Sequence, residues 1–132
     1  MSQAWRWIDI LEIRAIHDIQ IARHGGLDGV RDQGMIESAL ARPRNLAAYG
    51  TPDAADLAAA YAFGIARDHG FLDGNKRTAW VAARVFLADN GFDLSFNQIE
   101  GYQLMISVAD GTKDEPSAAA WLRSRIRPLA SE

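Results

Sequence analysis

The 132 residues are the length of one domain, and a composition of 48% hydrophobic and 23% charged residues excludes a disordered tail or a fibrous repeat. A formal net charge of −3 argues against a dedicated nucleic-acid binder, so no direct nucleic-acid partner is expected. The absence of cysteine removes disulfide scaffolds, thiolate metal sites and cysteine nucleophiles together.

Trp5, Trp7 and Ile8 read as a short extended lead-in. Asp9 followed by Glu12 has the spacing of a capping box, and Leu11, Ala15, Ile16, Ile19 and Ala22 recur at helical spacing up to a stop at Gly25-Gly26. His17 and His24 read as ordinary helix-surface or capping residues. A turn-rich stretch from Gly25 to Gly34 leads into a second helix over about 33–42, ended by Pro43. Thr51-Pro52 looks like the next helix start, with a hydroxyl cap, proline at the first helical position, and Asp53 and Asp56 near the positive end of the dipole. The alanine-rich run Ala54 to Arg67 has high helix propensity and should be buried.

Asp68 to Asn75 breaks the pattern at Gly70 and Gly74. Helix resumes at about Lys76 and runs to Asn90-Gly91, another spans about 98–110, and a last one runs from about 116 to 127 with Trp121 and Leu122 facing inward. No alternating strands adequate for a sheet are present, so the expected class is all-α, a single compact bundle of about six helices over residues 1–132. No apolar run approaches the ~20 residues that span a bilayer, and the N-terminus lacks the layout of a signal peptide. The expectation is a soluble cytoplasmic domain with no membrane partner.

The chemistry concentrates in His69-Gly70-Phe71-Leu72-Asp73-Gly74-Asn75-Lys76-Arg77-Thr78, between two helices. A helix N-terminus offers unpaired N–H groups and a positive dipole, which together bind phosphate. Gly74 permits backbone conformations closed to other residues and a close ligand approach. Lys76 and Arg77 add two cations at an end of the helix where cations are unfavourable unless an anion joins them. Asp73 is a hard oxygen ligand suited to Mg²⁺, and His69 has the side chain best suited to take a proton near neutral pH. The segment is not a P-loop: three residues separate Gly70 from Gly74, Asn75 precedes Lys76, and the flanks are helical.

This segment resembles the signature of the Fic/Doc family, His-Pro-Phe-x-Asp/Glu-Gly-Asn-Gly/Lys-Arg, and specifically its death-on-curing (Doc) branch. His69, Phe71, Asp73, Gly74, Asn75, Lys76 and Arg77 match, while Gly70 replaces the proline and is expected to loosen the loop. Arg23 to Leu27, Arg31 to Ala39 and the helix after the motif are similar to Doc proteins as well.

The resemblance implies a Fic-type bundle that binds ATP with Mg²⁺. His69 would be the general base for a target hydroxyl, and Asp73 would hold the metal between phosphates. Asn75 would orient a phosphate oxygen. Lys76 and Arg77, with the loop amides around Gly74, would bind phosphates, and Phe71 would anchor the loop. Arg23 and Arg67 match arginines near the family's active site, although a cation at the C-terminal end of a helix also favours the dipole. Lysine at position 76, where adenylylating members have glycine, and Trp80 in place of a further motif arginine both point toward phosphoryl transfer. The implied activity is a toxin kinase acting on a threonine or serine of a translation factor, elongation factor Tu, and neutralised by a Phd-type antitoxin. Adenylyl transfer, or a non-catalytic module that only holds an anion, are the alternatives.

Overall fold

The computed structural model describes residues 4–129 and places helices at Ile10–His24 (α1), Gln33–Tyr49 (α2), Ala54–Asp68 (α3), Asn75–Asp89 (α4), Gln98–Asp110 (α5) and Glu115–Arg123 (α6). Five of the six start at an aspartate or asparagine whose side chain accepts a backbone N–H three residues on: Asp9, Asp32, Asp53, Asn97 and Asp114. Only α4 departs from this rule, beginning at Gly74 with no side-chain cap.

The helical class is as expected, with one addition. Phe92–Leu94 (β1) pairs antiparallel with Ile126–Pro128 (β2), Phe92 opposite Pro128 and Leu94 opposite Ile126. The last helix therefore ends at Arg123 rather than near 127, and the chain turns to close this small sheet.

α3 is the axis of the core and packs against α2, α4, α5 and α6. Its alanines let neighbouring helices approach closely, and Leu57, Ala58, Ala59, Ala60, Tyr61 and Ala66 are fully buried. The lead-in closes over the same core. Trp5 and Trp7 lie against the Phe86 ring, and the buried Tyr61 hydroxyl accepts the Ile8 N–H at 2.9 Å.

Three local expectations are corrected. α2 runs through Pro43 to Tyr49, because Ala39, Leu40 and Pro43 form the face buried against α3, and that packing outweighs the lost N–H. α3 is capped by Asp53, which forms a reciprocal box with Asp56, so Thr51 and Pro52 lie outside the helix. α1 buries Ile13, Ile16, His17 and Gln20, while Leu11 and Ile19 are exposed. Isoleucines all round α1 make its periodicity ambiguous, and tertiary contact chooses the face.

Candidate active site

Residues 69–74 connect α3 to α4 and lie beside a strap, residues 25–32, that leads from α1 into α2. His69 caps the C-terminus of α3 in the left-handed conformation, φ 51° and ψ 45°. It is the one non-glycine residue with positive φ among the described residues, and such strain gathers at functional turns. Its side chain is exposed, and its carbonyl accepts from Arg31 Nε at 3.0 Å.

Gly70 is buried, and its carbonyl accepts the N–H groups of Arg31 at 2.8 Å and Asp32 at 3.0 Å. A Cβ at this position would stand 2.4 Å from Ile36 Cγ1. The structure gives the absence of a side chain at this position a packing reason. The glycine lets α2 press against the loop, and a proline, which carries a Cβ, would force Ile36 to move.

Phe71 is buried and stacks on the His17 ring, centroids 3.8 Å apart and planes 7° from parallel. Phe71 also bridges Val30 of the strap, and Leu72 donates its N–H to the Gly29 carbonyl. His17 is only 2% exposed, so it is no surface residue. Its Nε2 lies 2.8 Å from the Asp73 carbonyl, which can only accept, so Nε2 carries the proton. The clue in the sequence was its place on one face with Ile13, Ile16 and Gln20. His24 is exposed, as expected.

The exposed Asp73 carboxylate accepts the Gly74 N–H at 3.1 Å through Oδ1 and the Leu27 N–H at 3.3 Å through Oδ2. The strap closes this tightly because Gly26 has no side chain; a Cβ there would meet Asp73 Oδ2 at 2.9 Å. Gly74 follows at φ 75°, and α4 starts with no side chain on its first N–H groups. Lys76 and Arg77 are exposed in that first turn and join no ion pair among the described residues. Thr78, one turn in, buries its hydroxyl with no hydrogen-bond partner.

The turn thus brings together His69, Asp73, Gly74, Lys76 and Arg77. Asn75 sits there too, but its amide is engaged by the loop itself. Oδ1 accepts the Phe71 N–H at 3.1 Å and Nδ2 donates to the Phe71 carbonyl at 3.0 Å, so in this structure Asn75 braces the loop rather than facing a phosphate. Arg23 is exposed in the last turn of α1, where the strap begins. Arg67 sets its guanidinium over the Phe63 ring at 5.1 Å and beside Gly111 at the end of α5. Next to His69, partial burial raises the pKa of the Asp68 carboxyl.

The chain belongs to the Fic/Doc family: residues 7–87, which include this turn with its histidine, carboxylate and uncapped helix start, match the family's sequence profile. Among its relatives, the protein kinase doc of Escherichia phage P1 is 38% identical over 119 residues, which cover 89% of this chain and 94% of the phage protein. The toxin Doc of Mycolicibacterium smegmatis is 44% identical over 103 residues, covering 74% of this chain and 78% of that toxin.

Proposed function

We propose that this protein is a Doc-like toxin, an ATP-dependent protein kinase that phosphorylates a threonine or serine hydroxyl of a translation factor, elongation factor Tu being the first candidate. The observation that carries the reading is the start of α4. Among the described residues it is the one helix of six without a side-chain cap, and Lys76 and Arg77 crowd its positive end. Three free N–H groups and two cations ask for a polyanion, and a nucleotide triphosphate supplies one.

The donors near this turn fit a magnesium ion. Each Asp73 oxygen accepts one N–H and keeps a lone pair, and Mg²⁺ bound with a nucleotide takes one or two carboxylates and leaves its other positions to phosphates and water. When bound there, the ion neutralises charge on the phosphates. The chain's own residues do the rest. The α4 amides, Lys76 and Arg77 hold phosphate oxygens, and the His69 imidazole takes the proton of the acceptor hydroxyl as its oxygen bonds the γ-phosphorus and ADP leaves. Lys76 places charge and bulk beside the turn, which favours presentation of the γ- rather than the α-phosphoryl group.

The relatives' names, a kinase and a toxin, support the same reading. As a toxin the protein acts in the cytoplasm, and its natural partner is a Phd-type antitoxin with a disordered tail. Incubation of purified protein, elongation factor Tu and Mg²⁺ with γ- or α-labelled ATP tests the reaction. Label from the γ position alone supports the kinase. Transfer of α-label makes the protein an adenylyltransferase, and transfer of neither, to any hydroxyl-bearing acceptor tried, leaves an anion-binding module. Production of the chain alone should arrest bacterial growth, and an antitoxin should relieve the arrest. Harmless accumulation of folded protein would overturn the toxin assignment.

A further inference from the structure

The His69 imidazole has no hydrogen-bond partner of its own among the described residues, so its direction is set by the backbone that carries it. That backbone is left-handed, a region that few non-glycine residues occupy, and it persists where its surroundings hold it. Among the strap's contacts with this loop, the one that reaches the His69 carbonyl comes from Arg31. Arg31 Nε donates to the His69 carbonyl at 3.0 Å, and the Arg31 N–H donates to the next carbonyl, Gly70, at 2.8 Å. The first of these fixes the plane of the peptide after His69, which is the ψ of the strained residue. The second ties the same strap residue to the following peptide.

Arg31 is itself well anchored. It directly precedes Asp32, whose side chain caps α2 through the Met35 N–H and whose own N–H also reaches the Gly70 carbonyl. The rigid start of α2 therefore stands behind a single planar N–H aimed at the turn. An arginine suits this task because its Nε–H lies in a fixed plane, whereas a lysine ammonium is a rotatable point donor.

We infer that Arg31 is a positioning residue: through its Nε–H on the His69 carbonyl it holds His69 in the left-handed conformation that aims the imidazole at the acceptor hydroxyl. The inference rests on the reading of His69 as the base, and its test separates the two. Selective labelling of residue 69 reports its backbone directly, through the coupling between its amide and α protons and through its Cα and Cβ shifts. In Arg31→Ala these should leave the left-handed range while the helical fold and melting temperature stay close to the parent. In the phosphorylation assay kcat should fall at least about tenfold with the KM for ATP unchanged, the signature of a misdirected rather than a missing group. Arg31→Lys, which keeps the charge without the planar Nε–H, should also lose several-fold in kcat.

An unchanged residue-69 backbone in folded Arg31→Ala overturns the inference. So does full activity of Arg31→Lys, which would assign the role to charge, or a rise in the KM for ATP at constant kcat, which would assign it to the nucleotide. If instead His69→Ala keeps full transfer, the reading of His69 as base fails, and the backbone measurement still decides whether Arg31 holds the turn.

Discussion

Two helix starts in this molecule are opposites. α3 begins inside a closed set of contacts: Asp53 and Asp56 cap each other's N–H groups, and Arg123 of α6 pairs with both carboxylates. Negative charge meets the positive end of the dipole, and one cation offsets half of the charge of the carboxylate pair. α4 begins with a glycine, no cap, and two cations with no acidic partner among the described residues. The first arrangement is complete as it stands. The second is electrostatically incomplete, and its free N–H groups and cations are what the proposed nucleotide would satisfy.

The comparison is broken most sharply by separating activity from stability. His69→Ala should lower phosphoryl transfer by ~10²–10⁴, the scale of a lost general base, while ATP affinity and melting temperature change little. Arg123→Ala should do the reverse, lowering stability and leaving transfer intact. Undiminished transfer by the histidine variant in the labelled-ATP assay would remove His69 from the mechanism.

The next effect tests whether the turn is held as tightly as its contacts indicate. Gly70→Ala puts a methyl 2.4 Å from Ile36 Cγ1, and overpacking of this kind typically costs ~1–3 kcal/mol. Urea unfolding should show the loss, and the cost of Gly70→Ala should be smaller in a chain already carrying Ile36→Ala, because the colliding atom is gone. A neutral Gly70→Ala would mean that the loop yields freely.

Smaller still is the contribution of each cation. Lys76→Ala or Arg77→Ala should weaken Mg-ATP binding by calorimetry about tenfold each, equivalent to ~1.4 kcal/mol. The same change at Arg123 should leave the titration where it was. Equal ATP affinity in all three variants would place the nucleotide elsewhere.

Much of this contrast was legible in the sequence because caps and stops are local. Asp9, Gly111 and the break at Gly70–Gly74 announce their helices within a few residues, and so do Asp73, Lys76 and Arg77 at the turn. What escaped depends on distant contacts. β1 and β2 are three residues each and separated by two helices, so no local alternation reveals them. Pro43 continues a helix only because α3 buries its face. His17 looks like a surface residue until the fold stacks it on Phe71, and nothing local shows that Arg31 reaches the His69 carbonyl. The groups of the candidate site were readable as a list, whereas the long-range contacts around them were not.

The smallest expected effect lies at the closed helix start and depends on pH. The Arg123 guanidinium beside Asp53 lowers its carboxyl pKa from 3.8 to about 2. A carboxylate held down in the folded state stabilises fully above its unfolded pKa, and that stability fades as pH falls through the folded value. The contribution should therefore be constant above about pH 4 and be mostly lost between about pH 4 and 2. Both side chains are about half exposed, so solvent screening limits the pair to roughly 0.5–1 kcal/mol. Removing Arg123 should cost that amount at pH 7 and only a small part of it at pH 2, where the parent's Asp53 carboxyl is already about half protonated. Thermal melts of parent and Arg123→Ala should accordingly converge as pH falls. If their separation persists undiminished at pH 2, packing of the arginine stem rather than its charge closes the start of α3, and the electrostatic half of the contrast with α4 must be given up.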